Sequence, residues 1–167
     1  PVLVAPGVSC GNCPACLSAN DPLCRVYGIF GEDRDGGYAE YVAVPRRNIL
    51  EIPAGLSFVE AAAIPLVFLT AWHMLGARAE RRPREDVLIH AAGSGVSSAG
   101  IQIAKRLGAR KIIATASTEV KRLQAVRLGA THTLDYASGG FAAEARKITE
   151  GKGVEVVFDH VGGSVFE

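Results

Sequence analysis

All four cysteines of this 167-residue chain fall in the stretch "SCGNCPACLSANDPLC" (9–24): Cys10, Cys13, Cys16 and Cys24. Thiolates separated by two, two and seven residues can close a tetrahedral shell around one Zn2+. Gly11, Asn12, Pro14 and Asn20-Asp21-Pro22 supply the turns that fold backbone around an ion. Two disulfides are the alternative, and both a cytosolic setting and the tight spacing argue against them. A shell of four thiolates has no open position for water or substrate, so this zinc is expected to hold a lobe together and to perform no chemistry. His73, His90, His132 and His160 are scattered singly, the pattern of structural residues rather than of ligands.

A second chemistry is written in "AAGSGVSSAG" (91–100). Gly93 and Gly95 stand at the end of a buried-strand pattern and just before an amphipathic helix with Ile101, Ile103, Ala104 and Leu107 on one side. Glycine there lets the backbone approach a pyrophosphate whose charge sits at the helix N-terminus, as a dinucleotide site requires. Counted from Gly93, the G-x-G-x-x-G fingerprint needs glycine at 98, where this chain has Ser98. A glycine-rich turn by itself also fits plain tight packing. About 20 residues further on, NAD-specific sites carry an acidic residue for the ribose hydroxyls. Here "IIATASTEVKR" ends its strand at Ala116, followed by Ser117 and Thr118, with Lys121 and Arg122 one turn into the next helix. Without a carboxylate at the strand end nothing repels a 2′-phosphate, so the reading leans to NADP(H), with Glu119 as the alternative acidic residue.

These residues need elements to hold them. Apolar residues make up 49% of the chain, enough for a globular core of one or two modest domains. With 18 Lys and Arg against 17 Asp and Glu, no electrostatic case exists for nucleic acid or an anionic membrane, and the isolated run "RAERRPRE" (78–85) reads as a solvated linker. No apolar stretch approaches the roughly 20 residues of a membrane span, and "PVLVAPG" lacks the layout of a signal peptide, so a cytoplasmic protein is expected. Both ends read as cut, which suggests an internal piece of a longer protein. "GGYAEYVAV" (36–44) alternates like a strand, with Tyr38 and Tyr41 on a sheet face, and "NILEIP" reads as a second strand. Ser57-x-x-Glu60 forms a capping-box pattern, Pro65 should end or kink that helix, and a second helix should carry Thr70 to Leu75. From residue 86, strand and helix patterns alternate, which implies a parallel sheet covered by helices on both faces.

The four-cysteine lobe, the "GGYAEYV" strand, the "PLVFLTAW" helix and "AAGSGVSSAGIQIAKRLGA", in this order, resemble the medium-chain dehydrogenase/reductase superfamily, the group of zinc-containing alcohol dehydrogenases and quinone oxidoreductases. The resemblance covers essentially the whole chain. It implies an α/β protein: part of a GroES-like β-barrel domain over 1–56 with the zinc lobe at 9–30, connecting helices over 57–85, and a truncated Rossmann NAD(P)-binding domain over 86–167. It also implies hydride transfer between a nicotinamide and a small alcohol, aldehyde, ketone or quinone, in a cleft between the two domains. Cys10, Cys13, Cys16 and Cys24 match the family's structural zinc ligands. The residues expected at the cofactor are Thr70, Gly93, Ser94, Gly95, Val96, Ser97 (where glycine is usual), Ser117, Lys121, His160 and Val161.

Two departures bear on the chemistry. The family's first catalytic zinc ligands would precede Pro1, and the further catalytic cysteine aligns near Leu66, which cannot bind metal. Catalytic residues are therefore not identified in this chain, and zinc-independent reduction of a quinone or enone stands beside alcohol chemistry. Leu66, Phe68 and Trp72 are candidates for an apolar substrate wall, although Trp72 reads more simply as helix core, and Asp159 reads as a strand-end turn residue. A zinc-stabilised binding module is a weaker reading, because no Lys, Arg or aromatic lies between Cys10 and Cys24. A silent relative that only senses NADPH is a further one. The piece alone is expected to be unstable and inactive, and the intact parent a homodimer or homotetramer.

Overall fold

Strand β5 (Val87–Ile89) is buried along its whole length, as three consecutive apolar residues require of a strand inside a sheet covered on both faces. The computed structural model, which describes residues 1–80 and 82–163, divides the chain into two compact units, Pro1–Leu66 and Val67–Glu167.

The second unit is built on a four-stranded parallel sheet formed by β5, β6 (Ile112–Thr115), β7 (His132–Leu134) and β8 (Val156–Phe158) in the order β7-β6-β5-β8. Helices α4 (Gly95–Arg106), α5 (Glu119–Leu128) and α6 (Phe141–Ile148) connect successive strands. Side chains alternate across the sheet. Val87, Ile89, Ile112, Ala114 and Phe158 face Ile101, Ile103 and Ala104 of α4, together with Ala71 and Leu75, whereas Leu88 and Ile113 face Ala145 of α6. Ala71 belongs to helix α3 (Val67–Trp72), and Leu75 to the π-helical turn His73–Arg78 that continues it. The chain order and the parallel register give the doubly wound layout expected from the strand and helix alternation.

One ion pair ties the N-terminal end of the sheet together. Asp86, fully buried, accepts hydrogen bonds from Arg110 Nε and Nη2, both at 2.8 Å, while its own N–H donates to Glu155 Oε2 at 2.7 Å. The residues before β5, β6 and β8 are thereby joined. The Arg110 guanidinium holds the Asp86 carboxyl below the usual carboxylate range, against the opposing effect of burial.

The first unit has two small antiparallel sheets: β1 (Val2–Val4) with β4 (Ile49–Glu51), and β2 (Gly7–Val8) with β3 (Gly28–Ile29). Buried Asn48 links them, its Nδ2 donating to the carbonyls of Ala5 at 2.7 Å and Gly7 at 2.6 Å. The capping box forms as expected: Ser57 N–H donates to Glu60 Oε2 at 2.9 Å and Glu60 N–H to Ser57 Oγ at 3.3 Å, opening α2 (Phe58–Ala62). Helix α1 (Pro14–Leu17) lies inside the cysteine lobe.

Two expectations need correction. Residues 36–44 form no strand, and Tyr38 and Tyr41 are exposed rather than set on a sheet face. A strand persists only where a neighbour takes its backbone groups, and among the described residues none pairs with this segment. Trp72, expected in the helix core, is 55% exposed, and Ala71 and Leu75 take the buried face instead. The second helix does carry Thr70 to Leu75, its regular part ending at Trp72 and widening into the π-helical turn. Residues 164–167 of the expected Rossmann segment and Arg81 of the charged linker lie outside the described residues.

Replacing Asp86 with Asn should destabilise the protein by about 2 kcal/mol at pH 7, because Arg110 loses its charged partner. Because the folded pKa of Asp86 is depressed, the clamp contributes above about pH 4 and is lost as the pH falls through the folded value. Urea melts of the wild type and of Asp86→Asn should differ at pH 7 and converge in strong acid.

Candidate functional site: a four-thiol lobe and a glycine turn

The four cysteine Sγ atoms lie within 4.8 Å of one another, although Cys24 is eight residues beyond Cys16. Two turns bring them together. The Cys13 N–H donates to Cys10 Sγ at 3.3 Å, which closes the first, and the 3-10 turn Asp21–Leu23 returns the chain so that Cys10 N–H meets Cys24 Sγ at 3.5 Å. The Cys13–Cys16 and Cys10–Cys16 sulfurs are 3.5 and 3.8 Å apart, and all four thiols are free. Four sulfurs at zinc–thiolate distance have tetrahedral edges of about 3.8 Å, so the spacing fits a zinc ion and is too long for S–S bonds.

The lobe is electrostatically uneven. Backbone N–H groups of Asn12 and Cys13 lower the Cys10 thiol to about 6, whereas removal from water raises Cys16 to about 11. Ser9 Oγ donates to Asp21 Oδ1 at 2.5 Å, which lowers the Asp21 carboxyl, and Arg47 donates to the Ser9 carbonyl. Arg47 and Asn48 are companions of the lobe that sequence reasoning missed. Their partners lie about forty positions upstream, and nothing in their local pattern marks the contact.

The glycine turn sits at the C-terminal end of β5. Ser94 caps α4, its Oγ accepting the Ser97 N–H at 3.1 Å while its carbonyl accepts the Ser98 N–H at 2.9 Å. The N–H groups of Gly95 and Val96, in the first turn, are those a helix leaves without an internal partner. Fully buried Ser97 donates to the His90 carbonyl at 2.5 Å, so the residue standing where glycine is usual closes the turn by a hydrogen bond. The close packing associated with a third glycine occurs instead at Gly100, where a Cβ would come within 3.1 Å of the Phe158 ring on β8. Sequence reasoning did not single out Gly100, although its place two residues past the expected fingerprint position was a usable signal.

Lys121, in the first turn of α5, lays its aliphatic stem over Gly93, where a Cβ would meet Cδ at 2.6 Å. A groove of ≈450 Å³ opens beside it, with Ser98, Gln124 and Arg127 among its walls and no carboxylate lining it. Among the described residues no carboxylate pairs with Lys121, whereas Arg122 is engaged by Asp135 at 2.9 Å. Ser117 lies half-buried just past β6, and Glu119 points outward at the start of α5. His160 and Val161 follow β8, exposed, with His160 Nε2 3.1 Å from Ser94 Oγ. Asp159 fixes that turn by accepting the Val161 N–H at 2.8 Å and the Gly162 N–H at 3.1 Å; burial pulls its pKa up, and these N–H groups together with His90 and His160 bring it below the usual value. Thr70 is half-buried on α3, a helix whose Val67 approaches Gly95 so closely that a Cβ there would lie 3.1 Å from Cγ1. Phe68 packs on the core, and Leu66 is exposed in the other unit. His90 is buried, hydrogen-bonded through Nδ1 to Thr115 Oγ1 at 3.0 Å, and its pKa is lowered by burial. No described helix is long and apolar enough to cross a membrane.

Residues 1–54 match the family model of the alcohol dehydrogenase GroES-like domain, and residues 95–167 that of zinc-binding dehydrogenases. The crystal structure of an NAD-dependent alcohol dehydrogenase is 52% identical, with a TM-score of 0.95 over 99% of this chain and 48% of that one. A quinone oxidoreductase-like protein 2 homolog from Nematostella vectensis is 33% identical over 160 residues, 96% of this chain and 42% of its own length. A 2-haloacrylate reductase from Burkholderia sp is 37% identical over 129 residues, 76% of this chain and 38% of its own. The chain thus spans less than half the length of these relatives.

In metal-free protein at pH 7, iodoacetamide should label Cys10 well before Cys16, since the thiolate is the attacking species. Peptide mapping against time checks the order. Equal rates at Cys10 and Cys16 would contradict it.

Proposed function

Because this chain belongs to the medium-chain dehydrogenase/reductase superfamily, we propose that it provides the structural zinc lobe and the dinucleotide-binding half of an NAD(P)-dependent oxidoreductase of the alcohol dehydrogenase type. The observation that carries this reading is the glycine turn at the C-terminal end of β5, with Lys121 laid across it and paired with no carboxylate among the described residues. The nicotinamide cofactor, when bound, supplies or accepts the hydride. The chain's own part is to hold and orient it. The N–H groups of Gly95 and Val96 at the N-terminus of α4 suit a pyrophosphate, and Ser97 keeps the turn closed behind them. Thr70 on α3 is proposed at the nicotinamide and Ser117 along the adenosine half, with His160 and Val161 beside it. Holding the cofactor in one orientation supplies proximity, one of the protein's contributions to hydride transfer.

Two features pull the choice of cofactor apart. The ammonium of Lys121, paired with no carboxylate among the described residues, and the lack of a carboxylate at Ser117 favour the 2′-phosphate of NADP(H), whereas the 52% identical alcohol dehydrogenase is NAD-dependent. We assign NADP(H), on the charge around the groove. Lys121→Ala should weaken NADPH binding by about tenfold and leave NADH nearly unchanged. Equal loss for both would place Lys121 at the pyrophosphate and remove the argument for NADP(H).

Zinc is proposed on Cys10, Cys13, Cys16 and Cys24, where it would cross-link the lobe and leave no coordination position open. A zinc-independent reduction of a quinone or an activated alkene is the second reading. It is favoured by Leu66 and by the quinone oxidoreductase-like and 2-haloacrylate reductase relatives. The zinc content of the intact protein, purified without added metal, separates the two. A ratio near two per chain supports alcohol or aldehyde chemistry, and near one a zinc-independent reductase. A ratio near zero with no metal lost would sink the zinc assignment.

A further inference from the structure

The strand order of the second unit reverses at β5. The chain leaves β5 towards β6 and β7, then returns to place β8 on the opposite side. At such a switch point the two connections depart in opposite directions and open a crevice beyond the strand ends. One side-chain contact spans that crevice: Ser94 Oγ, after β5, lies 3.1 Å from His160 Nε2, after β8. Ser94 Oγ already accepts the Ser97 N–H, which leaves its own proton free for an unprotonated Nε2. His160 is constrained from behind as well. Its ring stands edge-on to Phe158 with centroids 6.1 Å apart, Phe158 is buried against Gly100 of α4, and Asp159 pins the turn through the N–H groups of Val161 and Gly162.

From this geometry we infer that His160 is a positioning residue, which latches the β8 turn to the cap of α4 and sets the width of the crevice before any ligand enters. The inference rests on the dinucleotide reading of the same site and adds a mechanical role to it. A ligand that spans both walls benefits from the latch, because their separation need not be ordered on binding. One that touches only the β5 turn does not. ADP-ribose is the spanning probe, and inorganic pyrophosphate the probe of the turn alone.

The test is calorimetric titration of the intact protein and its variants with both probes, alongside a melting curve for each variant. His160→Ala should weaken ADP-ribose by about fivefold, the scale of one net hydrogen bond, with pyrophosphate affinity and melting temperature unchanged. His160→Gln, whose amide can reach Ser94, should restore most of the loss. Unchanged ADP-ribose affinity in His160→Ala would overturn the latch. A parallel loss of pyrophosphate affinity would overturn it too, because His160 would then be a direct phosphate ligand. Failure of the wild type to bind either probe would instead overturn the dinucleotide reading on which the latch rests.

Discussion

Burial of β5 on both faces is the constraint from which the second unit follows. Val87 and Ile89 face one layer of helices and Leu88 the other, so the strand cannot sit at an open surface. It also has neighbours on both edges, β6 on one side and β8 on the other. The reversal of strand order that this demands is what opens a crevice at its C-terminal end. The glycine turn is placed at that crevice by necessity, since it is the connection leaving the central strand. At the opposite end, the Asp86–Arg110 pair holds the strands together.

The cysteine lobe obeys a different constraint. Its segment from Cys10 to Cys24 contains no fully buried side chain except Cys24, so apolar packing cannot hold it closed. Hydrogen bonds from outside the segment help to do so. Asn48 grips the two carbonyls that lead into it, and Arg47 reaches Ser9 at its edge. Turns within the segment add hydrogen bonds of their own, and a metal ion on the four converging sulfurs would add a bond network worth far more than these local contacts. The two units of this chain thus differ in kind, one sustained by a covered sheet and the other, with zinc as proposed, by ligand geometry.

The lobe and the glycine turn were legible in sequence because each is local. Cys10, Cys13, Cys16 and Cys24 span fifteen positions, and the strand, turn and helix around Gly93 span twenty, so residue type and spacing carry their meaning. The alternating strand and helix patterns after residue 86 were equally readable, because burial imposes a period on each element. The strand expected over 36–44 was not realised, since alternation signals a strand only when a pairing partner is at hand. Trp72 was misassigned to the core for a related reason: its size favours burial, but the face of α3 that packs on α4 carries Ala71 instead.

What the sequence by itself determined is the chemistry available: four thiols suited to one metal, a glycine turn suited to a pyrophosphate, and hydroxyls rather than a carboxylate at Ser117 and Thr118. Only the tertiary structure decided which distant groups meet those residues. Lys121 lies over Gly93 across 28 positions, Asn48 grips Gly7 across 41, and His160 meets Ser94 across 66. Contacts of that separation are set by strand order and helix packing. No local spacing rule encodes them, because the intervening chain can take many paths and the sheet selects one.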